Sequence, residues 1–75
     1  MFMVYCRKPG GKCFRPVDFS DIQRGGNQLL ICSNLAYGTR FAMREKAETL
    51  ADLSGQYFEG EFQARPIRAA KAVRV

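Results

Sequence analysis

At 75 residues, 47% of them hydrophobic and 25% charged, the chain has the composition of one small globular domain and not of a disordered one. Its formal charge of +5 is unevenly spread. Residues 1–40 carry six Lys/Arg against Asp18 and Asp21, residues 41–64 carry Arg44 and Lys46 against five acids, and residues 65–75 carry four cations and no acid. Such a bipolar chain suits oriented docking better than uniform coating of a polyanion.

Taken in chain order, Phe2–Arg7 is β-branched and aromatic enough for a strand, and Lys8-Pro9-Gly10-Gly11 reads as a turn. CFRPV is the expected return strand, closed by Pro16, with Arg7 facing Lys12, Cys6 facing Cys13, Tyr5 facing Phe14 and Val4 facing Arg15. One face would hold Phe2, Val4, Cys6, Cys13, Arg15 and Val17; the other would hold Met3, Tyr5, Phe14, Arg7 and Lys12. The like-charged Arg7–Lys12 pair is unfavourable by roughly a few tenths of a kcal/mol, a modest warning about the register.

DFSDIQRGGN reads as a polar loop, and QLLICS as a short central strand apolar on both faces. From Met43 to Ser54 the positions Met43, Ala47, Leu50, Ala51 and Ser54 recur at helical spacing. Arg44, Glu45, Glu48 and Asp52 lie opposite, with Arg44 one turn from Glu48, and Gly55 stands where a C-terminal cap belongs. QYFEGEFQARP then alternates as a half-buried strand stopped by Pro66. The expected fold is α+β, in the order β-β-β-α-β: a small, mostly antiparallel sheet of three to four strands crossed by one helix, over residues 1–66.

Residues 67–75 are expected to form a basic C-terminal tail. In RPIRAAKAVRV, Ile67, Ala70 and Val73 recur every third residue, each followed by a cation: Arg68, Lys71 and Arg74. Nine residues cannot hold a helix alone in water. The tail is either solvated, docked on the acidic face of its own or a twin chain, or in contact with nucleic acid.

No run approaches the roughly 20 apolar residues of a membrane span. The start MFMVYCRKPGG has no basic lead-in or small-residue cleavage site, so a cytoplasmic location and no membrane partner are expected. Cys6, Cys13 and Cys32 lack C-x-x-C spacing and there is no histidine, which predicts reduced thiols with no metal and no cofactor. No nucleophile stands with a base, so an enzyme is not expected.

The stretch SNLAYGTRFAMREKAETLADLSGQYFEGEF, through Thr39-Arg40-Phe41, Ala47-Glu48, Leu50-Ala51 and Gly55, resembles very small proteins often encoded by phages and prophages. In those a Thr-Arg-Phe segment leads into a short Glu-Ala-Glu helix that ends at a glycine before the last strand. The resemblance covers roughly residues 33–62 and implies a setting, a phage or mobile element, rather than a reaction. Within it, Phe41 is expected to tuck beneath the helix while Arg40 packs its stem along the surface.

Two constellations remain as candidate contact sites. Tyr5, Arg7, Lys12 and Phe14 interleave aromatics with cations; such a set stacks bases, binds a protein, or, with the rings under the helix, is only core. Arg65, Arg68, Lys71 and Arg74 supply basic charge at the C-terminal end. The acids Glu45, Glu48, Asp52, Glu59 and Glu61 read as a solvated face. The expected function is a small non-enzymatic interaction protein, phage- or mobile-element-encoded, that blocks or modulates a host protein. The alternative is a nucleic-acid-binding accessory protein using the hairpin and the tail. A homodimer is expected, because strands apolar on both faces exceed what one short helix covers.

Overall fold

The first strand, β1 (Phe2–Arg7), is the axis of the structure, a computed structural model that describes residues 1–34 and 37–67. Strand β5 (Glu61–Pro66) pairs antiparallel with its whole length, from Phe2↔Pro66 to Arg7↔Glu61. The other edge of β1 is shared. Strand β2 (Arg15–Asp18) takes the C-terminal half through Tyr5↔Pro16 and Cys6↔Arg15. Strand β4 (Arg40–Phe41) takes the N-terminal half through Phe2↔Phe41 and Met3↔Arg40. Strand β3 (Leu30–Ile31) extends the sheet beyond β2. A short helix α1 (Ser20–Gln23) links β2 to β3, and the main helix α2 (Arg44–Tyr57) precedes β5. The expected α+β fold with one main helix on an antiparallel sheet is thus present, with Arg40–Phe41 as an additional strand.

The hairpin register differs from the one expected. Gly11 N–H closes the KPGG turn on Lys8 O at 2.8 Å, but the chain does not pair again until Arg15. Cys6 therefore faces Arg15 rather than Cys13, and Tyr5 faces Pro16 rather than Phe14. The slip is two residues, which preserves which side chains share a face. It also relieves the like-charge contact: Arg7 pairs instead with Glu61, across β5. Pro66 ends its strand as expected, but Pro16 does not. Pro16 is buried within β2, where Cys32 N–H bonds its carbonyl at 2.8 Å, and Pro66 is the last paired residue of β5.

Paired residues share a face, so the registers divide the sheet cleanly. Phe2, Val4, Cys6, Val17, Ile31, Phe41, Phe62 and Ala64 lie on the side that α2 covers and form the core with Ala47 and Ala51. The helix presents small residues, with Ala47, Ala51 and Ser54 buried, and the sheet supplies the bulk. Phe41 is buried beneath the helix and Arg40 is exposed, as the Thr-Arg-Phe segment suggested.

Other helix details need correction. Leu50 is only half-buried and Met43, the N-cap, is 52% exposed. Arg44 lies over the Phe2 ring at 5.2 Å instead of bridging to Glu48. The helix runs through Gly55 to Tyr57. The reversal into β5 belongs to Gly60, whose φ of +124° excludes ordinary side chains; a Cβ there would also lie 2.9 Å from Arg7 O.

The expected polar loop after β2 contains the largest fully buried side chain, Phe19, which meets Phe41 edge to face at a centroid separation of 6.1 Å. Hydrogen bonds, two of them involving Thr39, set it there. Phe19 N–H donates to Thr39 Oγ1 at 2.8 Å, Ser20 N–H donates to Asp18 Oδ1 at 2.9 Å, and the Thr39 hydroxyl reaches the same oxygen at 3.4 Å. QLLICS is not a central strand: only Leu30 and Ile31 pair, at the end of the sheet, and Leu30 is 47% exposed.

These bonds from Ser20, foremost, and Thr39 hold the Asp18 carboxyl below its ordinary range. A carboxyl with a depressed folded pKa contributes stability above its unfolded value, near 4, and loses it as pH falls through the folded value. Asp18→Asn is therefore expected to lower the urea midpoint near neutral pH. The gap to wild type should narrow below about pH 4. A gap independent of pH would assign the loss to geometry rather than charge.

Candidate interaction face

The side of the sheet away from α2 carries Met3, Tyr5, Arg7, Pro16, Asp18, Leu30, Arg40, Glu61, Gln63 and Arg65. Its β4 end is covered by the chain itself. Gly38 crosses so closely over Met3 and Pro16 that a Cβ would fall 2.6 Å from Met3 Sδ and 2.9 Å from Pro16 Cβ. Met3 is accordingly fully buried, while the β5 end of the face stays open.

On that open part, side chains from β1, β5 and the hairpin loop interlock. The Arg65 guanidinium sits 4.5 Å from the Phe14 ring centre and 5.3 Å from that of Tyr5, and Arg7 approaches the Phe14 ring at 5.0 Å. All are within reach of cation–π attraction. Arg65 Nη2 and Nε donate to Gln63 Oε1 at 2.8 and 3.1 Å, Gln63 Nε2 donates to Glu61 Oε2 at 3.4 Å, and Glu61 Oε1 accepts from Arg7 Nη2. One hydrogen-bonded row, Arg65–Gln63–Glu61–Arg7, therefore runs beside two half-buried aromatic rings. The Arg7–Glu61 pair is solvent-exposed and adds little stability, but it fixes long side chains in place before any partner arrives.

Of the residues expected to make contact, Tyr5, Arg7, Phe14 and Arg65 come together here. Tyr5 and Phe14 do not lie under the helix, because α2 covers the Val4–Cys6 side. Lys12 does not join them: it is exposed and lines a separate shallow cleft with Cys6, Cys13, Arg15 and Ile31. Arg68, Lys71 and Arg74 lie outside the described residues. Glu61 and Gln63 are the additions. Their alternation with Phe62 and Ala64 put them on one strand face, but only the β1–β5 pairing reveals that they link the two arginines.

The three cysteines are free thiols. Burial raises the pKa of Cys6, and burial followed by the nearby Asp18 charge raises that of Cys32. Both thiols are thus held more firmly protonated. Among the described residues no group of three or more His, Cys, Asp or Glu side chains is placed to hold a metal ion, and no helix is long and apolar enough to cross a membrane. Comparison with protein-family models, with curated proteins and with solved structures finds no match to this chain.

Proposed function

We propose that this chain is a small non-catalytic binding protein whose open sheet face docks on another protein. The observation that carries the reading is the interlocked Arg65–Phe14–Tyr5–Arg7 set. Tyr and Arg dominate the energetics of protein interfaces, and here they are ordered in advance by stacking and by the Gln63–Glu61 row. The same geometry disfavours nucleic acid. Base stacking needs free ring faces, and these carry guanidinium groups; phosphate binding needs free cations, and Arg7 is already paired with Glu61. The directions of the Asp18 and Cys shifts also favour a non-catalytic role, since each keeps its group in its ordinary ionisation state near neutral pH. The phage-like Thr-Arg-Phe-to-helix segment supports a partner in the cytoplasm of a bacterial host, with steric blocking of a host protein as the proposed mode of action.

Affinity capture from bacterial lysate, with and without nuclease, tests this reading when wild type is run beside Arg65→Glu and Glu48→Ala. Expected is a protein captured in nuclease-treated lysate by wild type and by Glu48→Ala but not by Arg65→Glu, all three having the same far-UV spectrum. Capture abolished by nuclease would favour the nucleic-acid alternative. Capture indifferent to Arg65→Glu would remove the face from the mechanism.

A further inference from the structure

The outer edge of β5 has a directional pattern that identifies what it can pair with. Ile67 N–H donates to Met1 O at 2.9 Å, continuing the β1–β5 ladder by one residue. Backbone groups alternate in direction along a strand, so those of Glu61, Gln63 and Arg65 point toward β1 while those of Phe62 and Ala64 point away. Pro66 also points away, and it has no N–H to leave unpaired. Among the described residues no strand pairs with this edge, and its central residues, Phe62 to Ala64, include neither a charge nor a proline. The Arg65 guanidinium is turned inward onto Tyr5 and Phe14, and no bulge interrupts the ladder.

We propose that two copies of the chain join through this edge, with their β5 strands antiparallel about a two-fold axis at Gln63. Outward-pointing residues must meet outward-pointing residues, which leaves few registers. With Gln63 on the axis, Phe62 exchanges both backbone bonds with Ala64 of the second copy, and the reverse pair repeats them. A large side chain then faces a small one on the helix side. On the open side Glu61 stands opposite Arg65 of the second copy, on each side of the axis. Sliding one step in one direction sets Phe62 against its own copy and Ala64 against Gly60. Sliding the other way sets Phe62 against Pro66, which cannot donate. The Gln63-centred register alone combines full hydrogen bonding with opposite charges in register.

One feature opposes the pairing and sets its strength. The groove between α2 and the β5 edge, about 380 Å³, is lined by Glu48, Ala51, Asp52, Phe62, Gln63 and Ala64. Across the axis these carboxylates face their own counterparts, and neither Glu48 nor Asp52 has an ion-pair partner among the described residues. Dimerisation is consequently in the micromolar range and tightens when they are neutralised.

The test uses the full chain with Cys13→Ser and Cys32→Ser, so that only buried Cys6 remains. Opposed non-hydrogen-bonded residues lie about 4.5 Å apart at Cα, within disulfide range. Gln63→Cys is expected to give a covalent dimer under mild oxidation, and Glu61→Cys a yield at least tenfold lower. In sedimentation equilibrium, Glu61→Arg should weaken association about tenfold, and adding Arg65→Glu should restore it. Glu48→Gln with Asp52→Asn should strengthen it. A wild-type chain that stays monomeric at about 100 μM, a concentration suited to micromolar affinities, or equal crosslinking at 61 and 63, overturns the proposal. These readouts need no other protein, so their failure leaves the binding role of the sheet face standing, and failure of capture leaves the dimer standing.

Discussion

Phe19→Ala is expected to remove most of the domain's stability. The side chain is fully buried and packs edge to face on Phe41, at the junction of β2, α1 and β4. Truncating a buried phenylalanine costs about 3–5 kcal/mol. A domain of this size has roughly 4–11 kcal/mol to lose, by the usual per-residue range. At about 4–8 °C per kcal/mol the melting temperature should fall by roughly 12–40 °C. Calorimetry on the two proteins measures this directly. A drop of only a few degrees would show that the α1 segment is not part of the cooperative unit.

Ala47→Asp should be as damaging for a different reason. Ala47 is fully buried where α2 rests on the sheet, so a carboxylate there has neither room nor a partner. Placing an unpaired charge in such a site costs several kcal/mol, and no cooperative transition should survive. Leu50→Asp, three residues on, is the informative contrast. Leu50 is half-buried on the rim of an open groove lined by Phe41, Glu45, Lys46 and Thr49, where a carboxylate can turn to water beside a lysine. The expected cost is about 1–2 kcal/mol, a fraction of full leucine burial. Thermal melts followed by circular dichroism should therefore rank Ala47→Asp far below Leu50→Asp, with Glu48→Ala near wild type. Equal melts for the first two would mean that the helix is rotated from the orientation described.

The helix was legible because the spacing of Ala47, Leu50, Ala51 and Ser54 is a local property that survives any tertiary arrangement. The face assignment of the hairpin was legible for a related reason: strand parity is unchanged by the two-residue slip that moved Cys13 away from Cys6. What was not legible depends on contacts distant in sequence. Phe19 stands alone among Asp18, Ser20 and Asp21 with no periodicity to mark it, and its burial depends on Thr39, twenty residues away. The short β4 pair and the edge position of β3 follow from how β1 divides one edge between β2 and β4. For the site, Tyr5, Phe14 and Arg7 could be grouped from the hairpin alone. Gln63 and Glu61 join them only through β5, and the side that α2 covers depends on how the helix is connected to β4 before it and to β5 after it.

The place of β1 at the centre of the sheet also governs the order in which the molecule can be made. The strand made first in this domain has its longest partner in the last, with Phe2 opposite Pro66. While β5 is still inside the ribosome, β1 can satisfy only one of its edges, and the Val4–Cys6 side has neither Phe62 nor Ala64 to close it. Folding of this domain must therefore wait for β5, and the pairing that completes it closes the chain between Arg7 and Glu61. Contacts so far apart in sequence make for slow folding, on the millisecond-to-second scale typical of non-local β pairing. Until then a short apolar strand with an unpaired edge is exposed, which makes the nascent chain a natural client for whatever binds extended hydrophobic segments as they emerge.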